Sequence, residues 1–304
     1  MGVKSKIYSL FERIGRKLFR RYYAEKDLYD ASSKYFHART GKSFSYKQVS
    51  SKSNITEKLF WLHRYWQHPL IVQCADKYRM REYVKECGLD HILVPLLGAY
   101  DDANEIDFDG LPNQFVLKCN HGCGYNIICT DKSKLDIDAT KRKLNTWMKE
   151  VYGLNSFELH YSKIEPKIIS EEYLDFSYPE NAIDYKIHCI NGEPYCFLLC
   201  FDRDYVKGGV ELASYSVDWE KKDYLKQESI KSVAKPAELE QMLEYARILS
   251  KPFPYVRVDL YCIDKSVLVG ELTFTPAGGI MDYYKDSTLE AMGEALKLPL
   301  KYRK

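Results

Sequence analysis

The sequence predicts an α+β protein, with a helix-rich N-terminal part followed by antiparallel strand hairpins. Three observations carry that expectation. Apolar residues recur at helical spacing before about residue 100, most clearly over 59–66 and 76–87. Two later stretches alternate with period two on either side of short turns, one through Asn191-Gly192 and one through Asp264-Lys265-Ser266. No run approaches eighteen apolar residues; the longest, such as 196–201, are strand-sized and predict no membrane span.

Composition narrows the function classes. The 304 residues include 45 basic and 43 acidic side chains, a formal charge of +2. That balance argues against nucleic acid as the main partner, because proteins that track phosphates carry a basic excess. With 45% hydrophobic and 29% charged residues the chain is too apolar for disorder. Charges stand where a secretory signal would have its apolar region. Nine cysteines, odd in number and without a small-domain framework, read as reduced thiols in a cytoplasmic protein. The 26 tyrosines suit clefts for polar, ring-shaped ligands such as sugars, and equally suit half-buried strands.

Taken in order, residues 4–22 are expected to form a basic amphipathic helix, with Ile7, Phe11, Ile14, Leu18 and Tyr22 on one stripe. Such a helix can lie on an anionic membrane surface or dock on protein. Residues 31–100 are mostly helical, with Gly88 as a C-cap. After a turn-rich segment, 101–112, strands are expected at 115–119 and 125–130 around a glycine loop. A helix over 138–152, a strand over 168–174 and two hairpins separated by a helix over 237–250 complete the order.

The last hairpin carries most chemical information. Val256, Val258, Leu260 and Cys262 share one face with Leu268, Gly270, Leu272 and Phe274, while Arg257, Asp259, Glu271 and Thr273 share the other. An even register, met by a turn centred on Lys265, sets Asp259 opposite Glu271 and Arg257 opposite Thr273. Facing carboxylates repel, so a positive group belongs between them. A hard divalent cation such as Mg²⁺ suits two carboxylates with phosphate and water oxygens, and Thr273 could add a third oxygen. The plainer reading is Arg257 neutralising the pair on a solvated face. Pro276-Ala-Gly-Gly279 then allows backbone to approach a ligand.

Lys118 interrupts an apolar strand, where an unpaired ammonium is costly, so it should reach a cleft or an anion. It leads into Asn120-His-Gly-Cys-Gly124, whose glycines permit close approach to phosphate. A plain hairpin turn with a snorkelling lysine is the bland alternative. Cys119, His121 and Cys123 alternate, but lack a fourth zinc ligand. Pairing through Asn191-Gly192 sets Asp184, Lys186 and His188 on one face, with Tyr195 and Phe197 opposite. Lys186 offers another cation to the cleft or lies at an exposed edge; His188 reads as structural.

The order of these features resembles the ATP-grasp superfamily, through Asp76-Lys77, Lys118 with His121 to Gly124, Ser170-Glu-Glu-Tyr-Leu174 and Asp259…Glu271-x-Thr273. Several stretches resemble more closely the TupA-like ATP-grasp family, associated with teichuronopeptide and capsular polysaccharide biosynthesis. They are Cys74-Ala-Asp-Lys-Tyr-Arg79, Phe115-Val-Leu-Lys-Cys-Asn-His-Gly122, Asp184-Tyr-Lys186, Arg257-Val-Asp-Leu-Tyr261 and Gly270-Glu-Leu-Thr-Phe-Thr-Pro276. The resemblance runs from about Lys58 to Leu298. It implies an ATP-grasp fold: two α+β lobes gripping ATP, with an N-terminal helical region. The chain would divide into the basic helix (1–30), a helical domain (31–110), a central subdomain with glycine loop and adenine hinge (111–175) and a subdomain with the Mg-binding hairpin (176–304).

The same resemblance implies roles. Lys77 and Lys118 would contact ATP phosphates, with the loop His121, Gly122, Cys123 and Gly124 closing over them. Glu171, Glu172, Tyr173 and Leu174 would hold adenine through backbone, with an acid of that stretch or Asp184 near the ribose. Asp259, Glu271 and Thr273 would hold Mg²⁺, while Arg257 and Lys186 serve the transferring phosphoryl group. Thr273 stands where many such enzymes have Asn, and Cys123 where Ser is expected. The implied function is an ADP-forming carboxylate–amine ligase. Its partners would be ATP, a uronic-acid-containing glycan or sugar nucleotide, and an amino acid or small amine. The alternatives are a phosphotransferase using His121, His188 or Asp184 as base, a glycosyltransferase, or a non-catalytic interaction protein. The expected location is the cytoplasm, with the basic helix against the inner face of the membrane.

Overall fold

A computed structural model describes residues 27–153, 156–178, 181–202 and 209–300. The basic helix expected over 4–22 lies outside them. Four helices open the described chain: α1 (Asp27–Thr40), α2 (Ile55–Tyr65), α3 (Pro69–Ala75) and α4 (Met80–Glu86). Helix α2 starts at a reciprocal cap. The Glu57 amide donates to Asn54 Oδ1 at 3.0 Å, and the Asn54 amide donates to Glu57 Oε2 at 3.1 Å. Gly88, at φ +75°, ends the turn after α4 as expected.

The first sheet contains β1 (Leu96–Tyr100), β2 (Phe115–Cys119), β3 (Asn126–Cys129) and β4 (Ile168–Glu172), all antiparallel in the order β1-β4-β2-β3. Strand β1 falls in the stretch expected to be mostly helical; Gly98 in its middle lowers helix propensity, and its backbone pairs with β4 instead. Helix α5 (Ile137–Trp147) packs Leu144 onto Phe115, Leu117 and Ile168. Asp136 caps α5 by accepting from the Ala139 amide at 2.8 Å. It stops five residues short of the expected end, where successive tight turns lead to Gly153 at φ +83°.

The second sheet is larger: β5 (Asp184–Ile190), β6 (Glu193–Phe201), β7 (Glu211–Ser216), β8 (Lys221–Lys222), β9 (Tyr255–Ile263) and β10 (Ser266–Thr273), in the order β10-β9-β5-β6-β7-β8. Helix α6 (Leu239–Ser250) covers one face, burying Met242, Ala246 and Leu249 with Ile187, Val256 and Val258. Helix α7 (Asp286–Ala295) packs with α2 against part of the other face. Lys58 of α2 is 1% exposed, and its ammonium donates to the carbonyls of Gly293 (2.6 Å), Leu296 (2.7 Å) and Ser51 (3.0 Å), capping the end of α7. An isolated parallel bridge between Leu93 and Val269 ties the approach to β1 to the edge of the second sheet. Among the described residues no helix is long and apolar enough to cross a membrane.

Both hairpins form, and each corrects a detail. Asp259 pairs with Glu271 and Arg257 with Thr273, as expected, but the turn is not centred on Lys265. Ser266 pairs with Ile263 across a two-residue turn, Asp264-Lys265, at φ +49° and +66°. That register is one residue off, and a bulge between Val269 and Glu271 restores it. Val267 and Val269 therefore join the core, while Leu268 and Gly270, expected inward, are only partly covered. In the other hairpin Asn191-Gly192 forms the turn. Directly across from Asp184, Lys186 and His188 stand Cys200, Leu198 and Cys196. Phe197 points into the core on the other face, beside Ile187, and Tyr195 packs with the α7 cluster.

Candidate active site

Period two along β9 puts Arg257, Asp259 and Tyr261 on the face not covered by α6. Register with β5 sets His188, Lys186 and Asp184 beside them in that order, and β10 adds Thr273 and Glu271. The row is one ion network. Arg257 donates from Nε to Asp259 Oδ1 at 2.6 Å and from Nη2 to Oδ2 at 2.7 Å, a bidentate pair. The same Nη2 reaches Thr273 Oγ1 at 3.2 Å and Glu271 Oε1 at 3.3 Å. Lys186 Nζ lies 2.6 Å from Asp259 Oδ2 and 2.7 Å from Asp184 Oδ2. Thr273 donates to Glu271 Oε1 at 2.9 Å.

Asp259 is 1% exposed, whereas the Glu271 side chain is 32% exposed and forms the open end of the row. Burial acts to raise the Glu271 pKa, but Lys77, Arg257 and Lys186, with the Thr273 bond, outweigh it and hold the carboxyl at about 2. Burial likewise opposes the charge on Lys186, and Asp259 and Asp184 overcome it, raising that pKa. Glu271 is thus an ionised acceptor facing the cleft at any ordinary pH.

The opposite wall comes from the start of α4 and the first sheet. Asp76 Oδ1 accepts from the amides of Tyr78 (2.8 Å) and Arg79 (3.2 Å) and from Asn120 Nδ2 (2.8 Å), so one buried carboxylate joins the turn before α4 to the strand β2 exit. The Lys77 amide donates to Asn120 O at 3.2 Å. Lys77 Nζ then donates to Gly122 O at 2.6 Å and stands 3.9 Å from Glu271 Oε2. Gly122 is a place for no other residue, since a Cβ would lie 2.7 Å from the Tyr125 ring and 2.9 Å from the Tyr152 ring. Lys118, emerging from β2, pairs at 2.7 Å with Glu171 Oε2, and Arg81 pairs at 3.2 Å with Oε1.

The structure therefore brings together Lys77, Gly122, Asp184, Lys186, Arg257, Asp259, Glu271 and Thr273, and pairs Lys118 with Glu171 on the first sheet. Cys123 and Gly124 are exposed on the loop. The His121 ring turns inward, 2% exposed, with Nε2 3.1 Å from Trp147 O, so only its backbone faces the loop. His188 is enclosed between the Tyr255 hydroxyl (2.7 Å from Nδ1) and the Tyr284 hydroxyl (3.0 Å from Nε2). Strand β4 is interior to its sheet, so β1 and β2 occupy the Glu171 backbone, and the Glu172 amide donates to Pro95 O at 3.0 Å. The strand ends at Glu172, two residues before the expected limit, and leaves Tyr173 and Leu174 beyond the ladder.

Four functional candidates escaped the sequence. Arg81 was detectable, four residues after Lys77 and hence one turn along. Tyr261 was detectable by period two; its ring overlies Gly270 and meets Phe176 at 5.2 Å. Glu158 and Thr275 had no signal, because neither lies in a periodic segment. Glu158 is buried and accepts from Ser156 Oγ at 2.6 Å and Thr275 Oγ1 at 2.5 Å, tying a loop to the exit of β10.

Among the described residues no group of three His, Cys, Asp or Glu side chains could hold a metal unaided. The donors present are one clasped carboxylate, one open carboxylate and a hydroxyl. That set fits a cation delivered with phosphate oxygens, not a preformed protein cage.

A model of the family described as TupA-like ATP-grasp matches residues 57–297. No curated protein sequence is significantly similar. Among solved structures the chain is similar to a D-alanine–D-alanine ligase from Bacillus anthracis, at 16% identity over 74% of this chain and 67% of that one, with a TM-score of 0.45. It is also similar to a D-cycloserine synthetase, at 13% over 75% and 71% with a TM-score of 0.44. An L-amino acid ligase from Bacillus licheniformis stands at 11% over 69% and 42% with a TM-score of 0.43.

Proposed function

The chain belongs to the TupA-like ATP-grasp family, and on that premise we propose that it is an ATP-dependent carboxylate–amine ligase. Its carboxylate is a uronic acid of a surface polysaccharide, capsular or teichuronic in type, or of its precursor; its amine is an amino acid or another small amine. The observation that carries the reading is the Arg257–Asp259–Lys186–Glu271 network facing Lys77 and the Gly122 loop.

Two walls of cations with an open carboxylate between them suit a metal-bound triphosphate. Lys77 and Lys118 contact its phosphates, and the loop from Gly122 to Gly124 closes over them. Tyr173 and Leu174, past the paired part of β4, have backbone groups for adenine. Glu172, exposed there, is the acid open to ribose, since Glu171 is engaged by Lys118 and Arg81 and Asp184 by Lys186. Asp259, Glu271 and Thr273 would hold Mg²⁺, which neutralises phosphate charge. A substrate carboxylate oxygen attacks the γ-phosphorus and ADP leaves, with Arg257 and Lys186 stabilising the charge on the moving group. The amine then attacks the acyl carbon and phosphate leaves.

A phosphotransferase would need a base for a hydroxyl proton. The enclosed His188 and inward His121 are poor candidates for it, and Asp184 is held by Lys186 at 2.7 Å, which favours the ligase. The reading places the enzyme in the cytoplasm, with the basic segment 4–22 against the inner membrane face. Unchanged partition onto anionic vesicles after removal of residues 1–23 would remove that contact.

Incubation with Mg-ATP, a uronate panel and hydroxylamine tests the chemistry. Hydroxylamine captures an acyl phosphate as a hydroxamate visible by mass spectrometry. A uronate-dependent hydroxamate with equal ADP release is the expected result. ADP release with a phosphorylated sugar instead would establish the phosphotransferase.

A further inference from the structure

Helix α5 carries a second polar surface, which shares no residue with the ion network. With Asn104 of the short Ala103–Glu105 turn and Lys149 just past the helix, its residues Asp138, Lys141, Arg142, Asn145 and Thr146 line a groove of about 490 Å³. Among the described residues Arg142 and Lys149 form no ion pair, and Lys141 has only the Phe108 ring, 5.6 Å from its Nζ. Two exposed arginines on other helices are, by contrast, matched: Arg247 with Glu193 and Glu244, Arg39 with Asp282. Asp138 stands three and four residues before Lys141 and Arg142, a spacing that pairs readily on a helix, yet no ion pair forms.

The groove thus offers separate cations and separate acceptors. Asp138 is an exposed carboxylate. Thr146 donates its hydroxyl proton to Arg142 O at 2.9 Å, which leaves its oxygen to accept. Asn104 donates from Nδ2 to Asp102 at 2.8 Å, which leaves its carbonyl oxygen. Acceptors among cations suit a ligand carrying both carboxylates and hydroxyl groups. A phosphate backbone or a layer of phosphate headgroups lacks that density of hydroxyls.

The position is as informative as the lining. The Lys149 end adjoins Trp147, whose carbonyl meets His121 Nε2 at 3.1 Å and whose ring stacks on Tyr125 at 5.4 Å, beneath the glycine loop. From Asp138 to Thr146 the helical rise is about 12 Å, room for more than one sugar unit. We propose that this groove binds an acidic carbohydrate chain and holds the stretch of polymer next to the unit in the cleft. The proposal rests on the reading of the substrate as a uronic-acid glycan.

Oligogalacturonate, titrated calorimetrically at low salt, is the probe. Wild-type protein binds it, binding weakens as salt rises, and neutral dextran does not compete. The exposed double variant R142E/K149E binds roughly tenfold more weakly or not at all, K149A falls between, and Mg-ATP affinity is unchanged in both. Equal oligogalacturonate binding by wild type and R142E/K149E would overturn the proposal. So would no binding by wild type, or binding to phosphatidylglycerol vesicles alone that depends on the same two residues. The hydroxamate assay with monomeric uronates does not involve the groove, so its failure alone would remove the ligase reading and leave an acidic-glycan site.

Discussion

Lys77 donates to the carbonyl of Gly122 at 2.6 Å while standing 3.9 Å from Glu271. One ammonium therefore holds the glycine loop and faces the open carboxylate. A phosphate entering the cleft competes with the Gly122 carbonyl for it. Lys77→Met should weaken Mg-ATP binding by about tenfold or more and speed amide exchange over 121–125 in the nucleotide-free protein. Exchange unchanged in that segment would mean the bond does not hold the loop.

The low pKa of Glu271 makes a second expectation. Its folded value, about 2, lies below the ordinary 4.5. Its stabilising effect is therefore complete above pH 4.5 and disappears as pH falls toward 2. The shift corresponds to at most about 3 kcal/mol, reduced by solvent at this partly exposed side chain. Urea unfolding of wild type and Glu271→Gln should differ most near neutrality and converge below pH 3. A constant difference across that range would contradict the network.

Gly270 makes a packing prediction. A Cβ there would lie 2.7 Å from the Tyr261 ring. Gly270→Val should displace the ring, disturb the bulge that sets Glu271 against Asp259, and lower Mg-ATP affinity about tenfold. Tyr261→Ala in the same background should relieve part of that loss, measured by calorimetry.

Lys58 separates stability from activity. Lys58→Met removes the donor to three carbonyls and should cost about 2–4 kcal/mol, seen as a lowered midpoint in denaturant. Mg-ATP binding at a temperature where the variant is folded should be unaltered.

These sites were unequally legible in the sequence. The facing of Asp259 and Glu271 followed from alternation, which demands an even register of β9 and β10, together with a turn placed near Lys265, which selects among such registers. The route to that register did not follow: a two-residue turn plus a bulge gives the same pairing as one longer turn, and alternation near Gly270 is blind to the difference. Strand β1 was hidden because Leu-Leu-Gly-Ala-Tyr is too short to show a period. The Glu158–Thr275 bond joins two irregular segments far apart in sequence, and only folding brings them together. Groove and ion network differ likewise: the first follows from one helix face, the second from three strands.

The pairing of cleft charges has a consequence for selectivity. Arg81, Lys118, Lys186 and Arg257 each touch a carboxylate, and Lys77 holds a carbonyl. A bare anion entering the cleft can take cations only by stranding Asp259, Glu271 or Glu171. A cation entering alone meets carboxylates already satisfied. A guest that carries both signs at the spacing of a metal–phosphate pair can exchange partners on both walls at once. On the proposed reading, the cleft would therefore discriminate against free phosphates, free carboxylates and free divalent ions, and admit the combination.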